Sequence, residues 1–290
     1  MRLARSSQPV LRATRMCPPC LTARRDRLLD LIGKKPVIMA ILNVTPDSFS
    51  DGGKFFAPEA AMEQAKKLAA EGADIIDIGA ESTRPGHTPV AAEGELARLE
   101  PFLGELTKCL DVPFSVDTSK ACVARRAAEL GVSMVNDVWG LQKDPAMAET
   151  VAETGMAAVI MHNRDGIDPS LDIISDMRQF FDRSLKLAEA AVIPPSRLIL
   201  DPGIGFGKTR AQNYAALAGL PALNDYGLPV LIGVSRKSLL AESGAAPDEF
   251  TLVRTIAANL AAARNGAALF RVHDPAAHIA AFKVYDAIVR

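Results

Sequence analysis

Residues 113–137, PFSVDTSKACVARRAAELGVSMVND, decide the fold, because they read as strand, helix and strand in immediate succession. Pro113–Asp117 and Ser133–Asp137 are short, mostly apolar runs that end in polar residues. Between them Lys120–Leu130 carries apolar residues at helical spacing and stops at Gly131, a residue that tolerates the left-handed helix stop. Two strands joined by one helix pair in parallel, and parallel strands are covered on both faces. The same unit recurs in both directions along the chain. Further strands are predicted at Val37–Asn43, Asp74–Gly79, Ala157–His162, Arg197–Asp201, Pro229–Val234 and Ala267–His273. Further helices are predicted at Pro58–Glu71, Ala92–Lys108, Pro145–Glu153, Asp172–Ala191, Ala211–Leu220, Phe250–Asn265 and Pro275–Val289. Eight such units in about 254 residues predict an α/β protein, a TIM (β/α)8 barrel by count and length. A doubly wound open sheet shares this periodicity.

The strand ends carry the functional information. Asn43, Asp77 to Glu81, Asp117, Asn136-Asp137, His162-Asn163, Asp201, Ser235-Arg236-Lys237 and Arg271-Val272-His273 each close a predicted strand. In a closed barrel these carboxyl ends converge on the face where barrel enzymes keep their chemistry. One strand ending in Asp is an ordinary loop start; eight polar ends together exceed what solubility requires.

The formal net charge of −1 over 290 residues hides an asymmetry. Residues 1–36 hold nine basic residues against two acidic ones, net +7, leaving 24 basic and 32 acidic residues beyond, net −8. Residues 1–35 are expected to form a disordered basic extension, although an Arg-rich, acid-poor start also matches an organelle transit peptide. Residues 36–290 are expected to form the barrel. The near-neutral total, with no aromatic residue among the N-terminal arginines, argues against nucleic acid as a partner. No apolar run approaches the ~20 residues of a membrane helix. Cys17 and Cys20 form C-P-P-C without a second ligand pair, so all four cysteines read as reduced thiols of a cytoplasmic protein.

Single-motif explanations fail. Gly203-Ile204-Gly205-Phe206-Gly207-Lys208-Thr209 lacks the leading glycine of a phosphate-binding loop, whose place is taken by Pro202. The dinucleotide fingerprint fails as well, because its third glycine falls on Lys208. The site must therefore be assembled from several strands. Asp117, Asn136 and Asp201 offer acceptors and one amide donor, suited to a flat nitrogen heterocycle with an amino-pyrimidinone edge. Arg84, Arg271 and His273 suit phosphate oxygens, and Lys237 can reach both regions. Asn43 can serve as an oxygen ligand for Mg²⁺, which needs few protein groups when phosphates and waters complete its shell. Asp51, Glu81 and His87 read equally well as ordinary loop residues.

Two segments, Asn43-Val44-Thr45-Pro46-Asp47-Ser48-Phe49-Ser50-Asp51-Gly52-Gly53 and Asp77-Ile78-Gly79-Ala80-Glu81-Ser82-Thr83-Arg84-Pro85-Gly86, resemble the signatures of bacterial dihydropteroate synthases, a pterin-binding family. The resemblance continues through Ser115–Thr118, Asn136-Asp137, Met161-His162, Leu200–Lys208, Ser235–Ser238 and Arg271–Asp274, in order, over about residues 36–290. It implies a barrel that joins 4-aminobenzoate to 6-hydroxymethyl-7,8-dihydropterin pyrophosphate and releases pyrophosphate. It implies that Asp117, Asn136, Met161, Asp201 and Lys237 bind the pterin, and that Asn43, Thr83, Arg84, Arg271 and His273 bind the pyrophosphate, with Mg²⁺ on Asn43. Phe49, Thr83, Pro85, Phe206, Lys237 and Ser238 would line the aminobenzoate side, while Asp51 and Arg84 would act in loop closure. Asp117, Asp201, Lys237, Arg271 and His273 would carry catalysis, in a homodimer. The alternatives are a pterin-binding barrel that transfers a methyl group to a corrinoid, and a catalytically silent paralogue acting as a binding protein.

Overall fold

The computed structural model of the chain describes residues 19–44, 58–81, 90–240 and 248–289. In chain order the main elements are α1 (Pro19–Leu29), β1 (Val37–Asn43), α2 (Pro58–Ala70), β2 (Ile75–Gly79), α3 (Ala92–Cys109), β3 (Phe114–Asp117), α4 (Ala121–Glu129), β4 (Met134–Asp137), α5 (Met147–Thr154), β5 (Ala157–Met161), α6 (Ile173–Ala190), β6 (Leu198–Asp201), α7 (Arg210–Ala218), β7 (Leu231–Ile232), α8 (Thr251–Arg264), β8 (Leu269–Val272) and α9 (Pro275–Val289). All strand pairs are parallel, in the order β6-β5-β4-β3-β2-β1-β8-β7. A parallel bridge between Leu200 and Val230 joins the two ends of that order, so the sheet closes into the barrel rather than lying open.

Alternation along each strand sorts the side chains. Ile38, Ile76, Phe114, Val116, Val135, Ala158, Ile160, Leu200 and Phe270 face outward and are buried under the helices. Val37, Met39, Ile75, Met134, Ala157, Val159, Ile199, Leu231 and Leu269 face inward and fill the lower barrel as a second apolar cluster. Continuing upward on the same inward faces, the next positions are polar: Asp77 after Ile75, Asn136 after Met134, Asp201 after Ile199 and Arg271 after Leu269. The barrel thus has an apolar body and a polar mouth.

The expected disordered extension over residues 1–35 needs correction in its second half. Residues 19–29 form α1, and Leu21 and Leu28, two turns apart on one helix face, are fully buried. Leu28 joins the inner cluster beside Val37, Ala157 and Leu269, the first residues of their strands, and so closes the floor of the barrel. The basic residues that suggested a solvated tail have partners here. Arg24 donates to the Leu110 carbonyl at 2.9 Å, Arg25 to the Gly155 carbonyl, and Arg27 pairs with Asp111 at 2.9 Å. Leu110 and Gly155 follow the carboxyl ends of α3 and α5, where the helix dipole favours a cation. The sparse Leu21/Leu28 stripe was hidden by the arginines between its members.

Candidate active site

Strand register sets the first four site positions at one height. Asn43 lies opposite Gly79, Gly79 opposite Asp117, and Asp117 opposite Asn136. Gly79 is the gap in this row: a Cβ there would lie 3.4 Å from Asn43 Oδ1 and 3.7 Å from Asp117 Cβ. Across the mouth, Met161 lies opposite Asp201 on β5 and β6. Asp117, Asn136, Met161 and Asp201 are buried, whereas Asn43 is exposed at the rim.

One carboxylate that sequence reasoning did not place in the site organises it. Asp77, fully buried on β2, accepts through Oδ2 from Arg271 Nε at 2.6 Å and from Asn136 Nδ2 at 3.1 Å. Arg271 also donates through Nη2 to Asp117 Oδ2 at 2.8 Å. A carboxylate can only accept, so Asp77 fixes the Asn136 amide with its NH₂ turned away and its Oδ1 left as an acceptor. One of the two N–H donors of the Asn136 amide is therefore already used. Among the described residues, Asp77 Oδ1, Asp117 Oδ1 and Asn136 Oδ1 are buried without a hydrogen-bond partner. Burial raises the Asp117 carboxyl to about 7, opposed by Arg271 and reinforced by Asp77 and Glu95. Burial also raises Asp201, opposed by the Gly203 amide, which donates to Asp201 Oδ1 at 2.7 Å. Arg271 stays charged: burial works against it, but Asp77 and Asp117 together raise it above its ordinary value.

Lys237 enters from the loop after β7. Its ammonium donates to the Ile204 carbonyl and lies 4.6 Å from the centroid of the Phe206 ring. Burial lowers it to about 8, although the nearby Asp201 favours its charge. His273, just beyond β8, is held through Nδ1 by the Ser235 hydroxyl at 2.9 Å. Ser238 is exposed on the same loop as Lys237. Phe49, Asp51, Thr83, Arg84, Pro85 and His87 lie outside the described residues. Glu81, at the base of the second loop, accepts from the Val90 amide at 2.9 Å and pairs with Lys120. Among the described residues, no three His, Cys, Asp or Glu side chains are grouped to hold a metal.

The arrangement is a flat row of buried acceptors beside two cations, a lysine over an aromatic ring and an exposed amide at the rim. The sequence-predicted residues Asn43, Asp117, Asn136, Met161, Asp201, Phe206, Lys237, Ser238, Arg271 and His273 all lie at this end of the barrel. Asp77 could have been found from its place two residues before Gly79, on the inward face of the strand that ends beside Asn43.

A family profile described as pterin binding enzyme matches residues 39–273. The dihydropteroate synthase of Clostridium beijerinckii is 41% identical over 263 residues, covering 89% of this chain and 96% of that protein. The solved dihydropteroate synthase of Clostridium difficile, determined in the presence of pteroic acid, superposes with a TM-score of 0.85 at 45% identity, covering 89% of this chain and 98% of that one. The Xanthomonas albilineans dihydropteroate synthase solved with 4-aminobenzoic acid gives a TM-score of 0.83 at 44% identity, covering 88% and 93%.

Proposed function

The chain belongs to the pterin binding enzyme family, and on that premise we propose how its barrel mouth works as a dihydropteroate synthase. It condenses 6-hydroxymethyl-7,8-dihydropterin pyrophosphate with 4-aminobenzoate, giving 7,8-dihydropteroate and pyrophosphate. The methyl-transfer reading is not favoured, because the near-full-length relatives are synthases.

The observation that carries the assignment of residues is the pair of unpartnered buried oxygens on Asp117 and Asn136. Each costs about 1–3 kcal/mol while unpaired, and N–H donors on the amino-pyrimidinone edge of a pterin satisfy both. Asp201 offers a further acceptor on the opposite wall, and Met161 packs beside it. The pyrophosphate then lies toward Asn43, Arg271 and His273 at the rim. The C–O bond breaks first, and the methylene cation is stabilised by Asp117 and Asp201, held fixed inside the barrel. An aryl amine is already a nucleophile, so aminobenzoate needs only to be positioned, by Phe206, Lys237 and Ser238.

The donor set fits Mg²⁺ in one way: a single exposed amide oxygen, Asn43 Oδ1, beside the space left by Gly79, suits an ion held mainly by phosphate and water. When bound, Mg²⁺ would neutralise charge on the departing pyrophosphate. A homodimer is supported by exposed apolar residues at the end of the chain, Val284 and Ile288 one turn apart on α9. A reducing, cytoplasmic setting is supported by Cys109 and Cys122, both free and exposed. Among the described residues no helix is long and apolar enough to cross a membrane.

Pyrophosphate release measured with each substrate alone and with both tests the reaction. Release is expected only when aminobenzoate and the pterin pyrophosphate are present together; no release with both overturns the assignment.

A further inference from the structure

Lys208 belongs to the glycine-rich motif that resembles a phosphate loop, and the reaction described above gives it no role. Its side chain is 5% exposed, and its ammonium donates to the carbonyls of Gly203 at 2.8 Å and Phe206 at 3.0 Å. The β6–α7 loop turns around that ammonium through Gly203, Gly205 and Gly207, with φ of 63°, 87° and 55°. A Cβ at Gly203 would lie 1.8 Å from the His162 carbonyl oxygen, and one at Gly207 2.5 Å from Arg164 Cβ.

The loop is built inside out relative to a phosphate cradle. Its amides are turned onto the protein: Gly203 N–H to Asp201 at 2.7 Å, Gly205 N–H to Asn213 at 2.6 Å and Phe206 N–H to Gly203 O at 3.1 Å. Its carbonyls receive cations instead, Lys208 on the inside and Lys237, through Ile204, on the mouth side. We propose that Lys208 is a positioning residue, whose ammonium fixes the crest of the β6–α7 loop so that the Ile204 carbonyl and the Phe206 ring hold Lys237 in place for aminobenzoate.

An apolar side chain of similar length would fill the same space without burying a charge. Burial lowers Lys208 to about 7, with Asp201 and Asp176 opposing the fall and Lys237 and Arg164 adding to it. A buried amine kept at that cost is explained by the two carbonyls to which it donates. Behind it the loop rests on His162, itself paired through Nε2 with Asp176 at 3.0 Å.

The assignment rests on the proposed reaction for its kinetic arm, so a second arm is independent of activity. Lys208→Ala is expected to raise the aminobenzoate KM about tenfold, the loss of charge-assisted hydrogen bonds, with kcat changed much less. Ethylammonium added to this variant is expected to restore KM, and tetramethylammonium, which has no N–H donor, is not. In a Phe206→Leu background the Lys208→Ala effect on KM is expected to shrink, because the two act through one contact. In the unliganded protein, exchange of the Phe206 amide hydrogen is expected to rise about tenfold in Lys208→Ala, from the same lost restraint. Lys208→Gln, which keeps N–H donors without the charge, is expected to fall between, and it replaces the alanine variant if that fails to fold. Unchanged Phe206 exchange overturns the proposal whatever the reaction. Equal losses in kcat and both KM values, without rescue, reduce Lys208 to general stability and also overturn it. Absence of pyrophosphate release from the unsubstituted protein overturns the reaction instead.

Discussion

At the scale of single residues, Asp77 Oδ2 controls two others at once, the direction of Arg271 and the rotamer of Asn136. Asp77→Ala frees the Asn136 amide to rotate and leaves Arg271 with Asp117 alone. Titration calorimetry is expected to show pterin affinity falling about 10- to 100-fold, the range for losing charge-assisted hydrogen bonds, with circular dichroism unchanged. Unaltered affinity would show that Asp77 orients nothing the pterin uses. The pH dependence follows from Asp117 and Lys237, raised to about 7 and lowered to about 8. In the proposed reaction Asp117 is ionised to face the cation and Lys237 is charged, so kcat/KM for the pterin pyrophosphate should rise through about pH 7 and fall above about 8. The stability signs are opposite to those of a surface ion pair. Unfolded Asp117 ionises near ~3.9, so between there and about 7 the folded chain binds more protons and loses stability as pH rises. Unfolded Lys237 titrates near ~10.4, so between about 8 and that value stability rises with pH. Asp117→Asn is therefore expected to melt higher than the parent at pH 8, a gap that narrows at pH 5 in the same calorimetric scan. Asp117 itself was legible as a strand-end carboxylate. The place of Asp77 on its strand was legible too, but its organising role was not, because that depends on a contact with Arg271, 194 positions away.

At the scale of elements, the strands were legible because each is an apolar run ending at a polar residue, and the helices because glycine marks many of their ends. α1 was not, because a helix needs only two buried leucines when arginines supply the rest of its contacts. Leu28→Ala is expected to cost about 2–5 kcal/mol, seen as a lower midpoint in urea unfolding, with pyrophosphate release unchanged below the transition. A variant equally stable to urea would mean that α1 is not the floor of the fold. The β6–α7 loop shows a different limit. Its glycine spacing was readable, but whether its amides face a ligand or the protein depends on where Asp201, Asn213 and Lys208 lie in space.

At the scale of the whole molecule, the −8 of residues 37–290 surrounds a mouth that receives an anion. The local cations Lys237 and Arg271 set the sign there, and part of the acidic excess faces Arg24, Arg27 and Lys35, which pair with Asp111 and Asp74 at the other end. The last two helices leave Val253, Val284 and Ile288 at 63%, 62% and 77% exposure. For the homodimer proposed above, replacing Val284 and Ile288 together by Glu is expected to leave only monomer in sedimentation. A dimer that persists would move the interface away from α9.

The barrel is joined least strongly where β6 meets β7, by the one bridge between Leu200 and Val230, and β7 itself spans only Leu231 and Ile232. Asp201 and Lys237 stand on either side of that joint. A molecule gripped by both would act as a clasp, spanning the hoop at its thinnest stave.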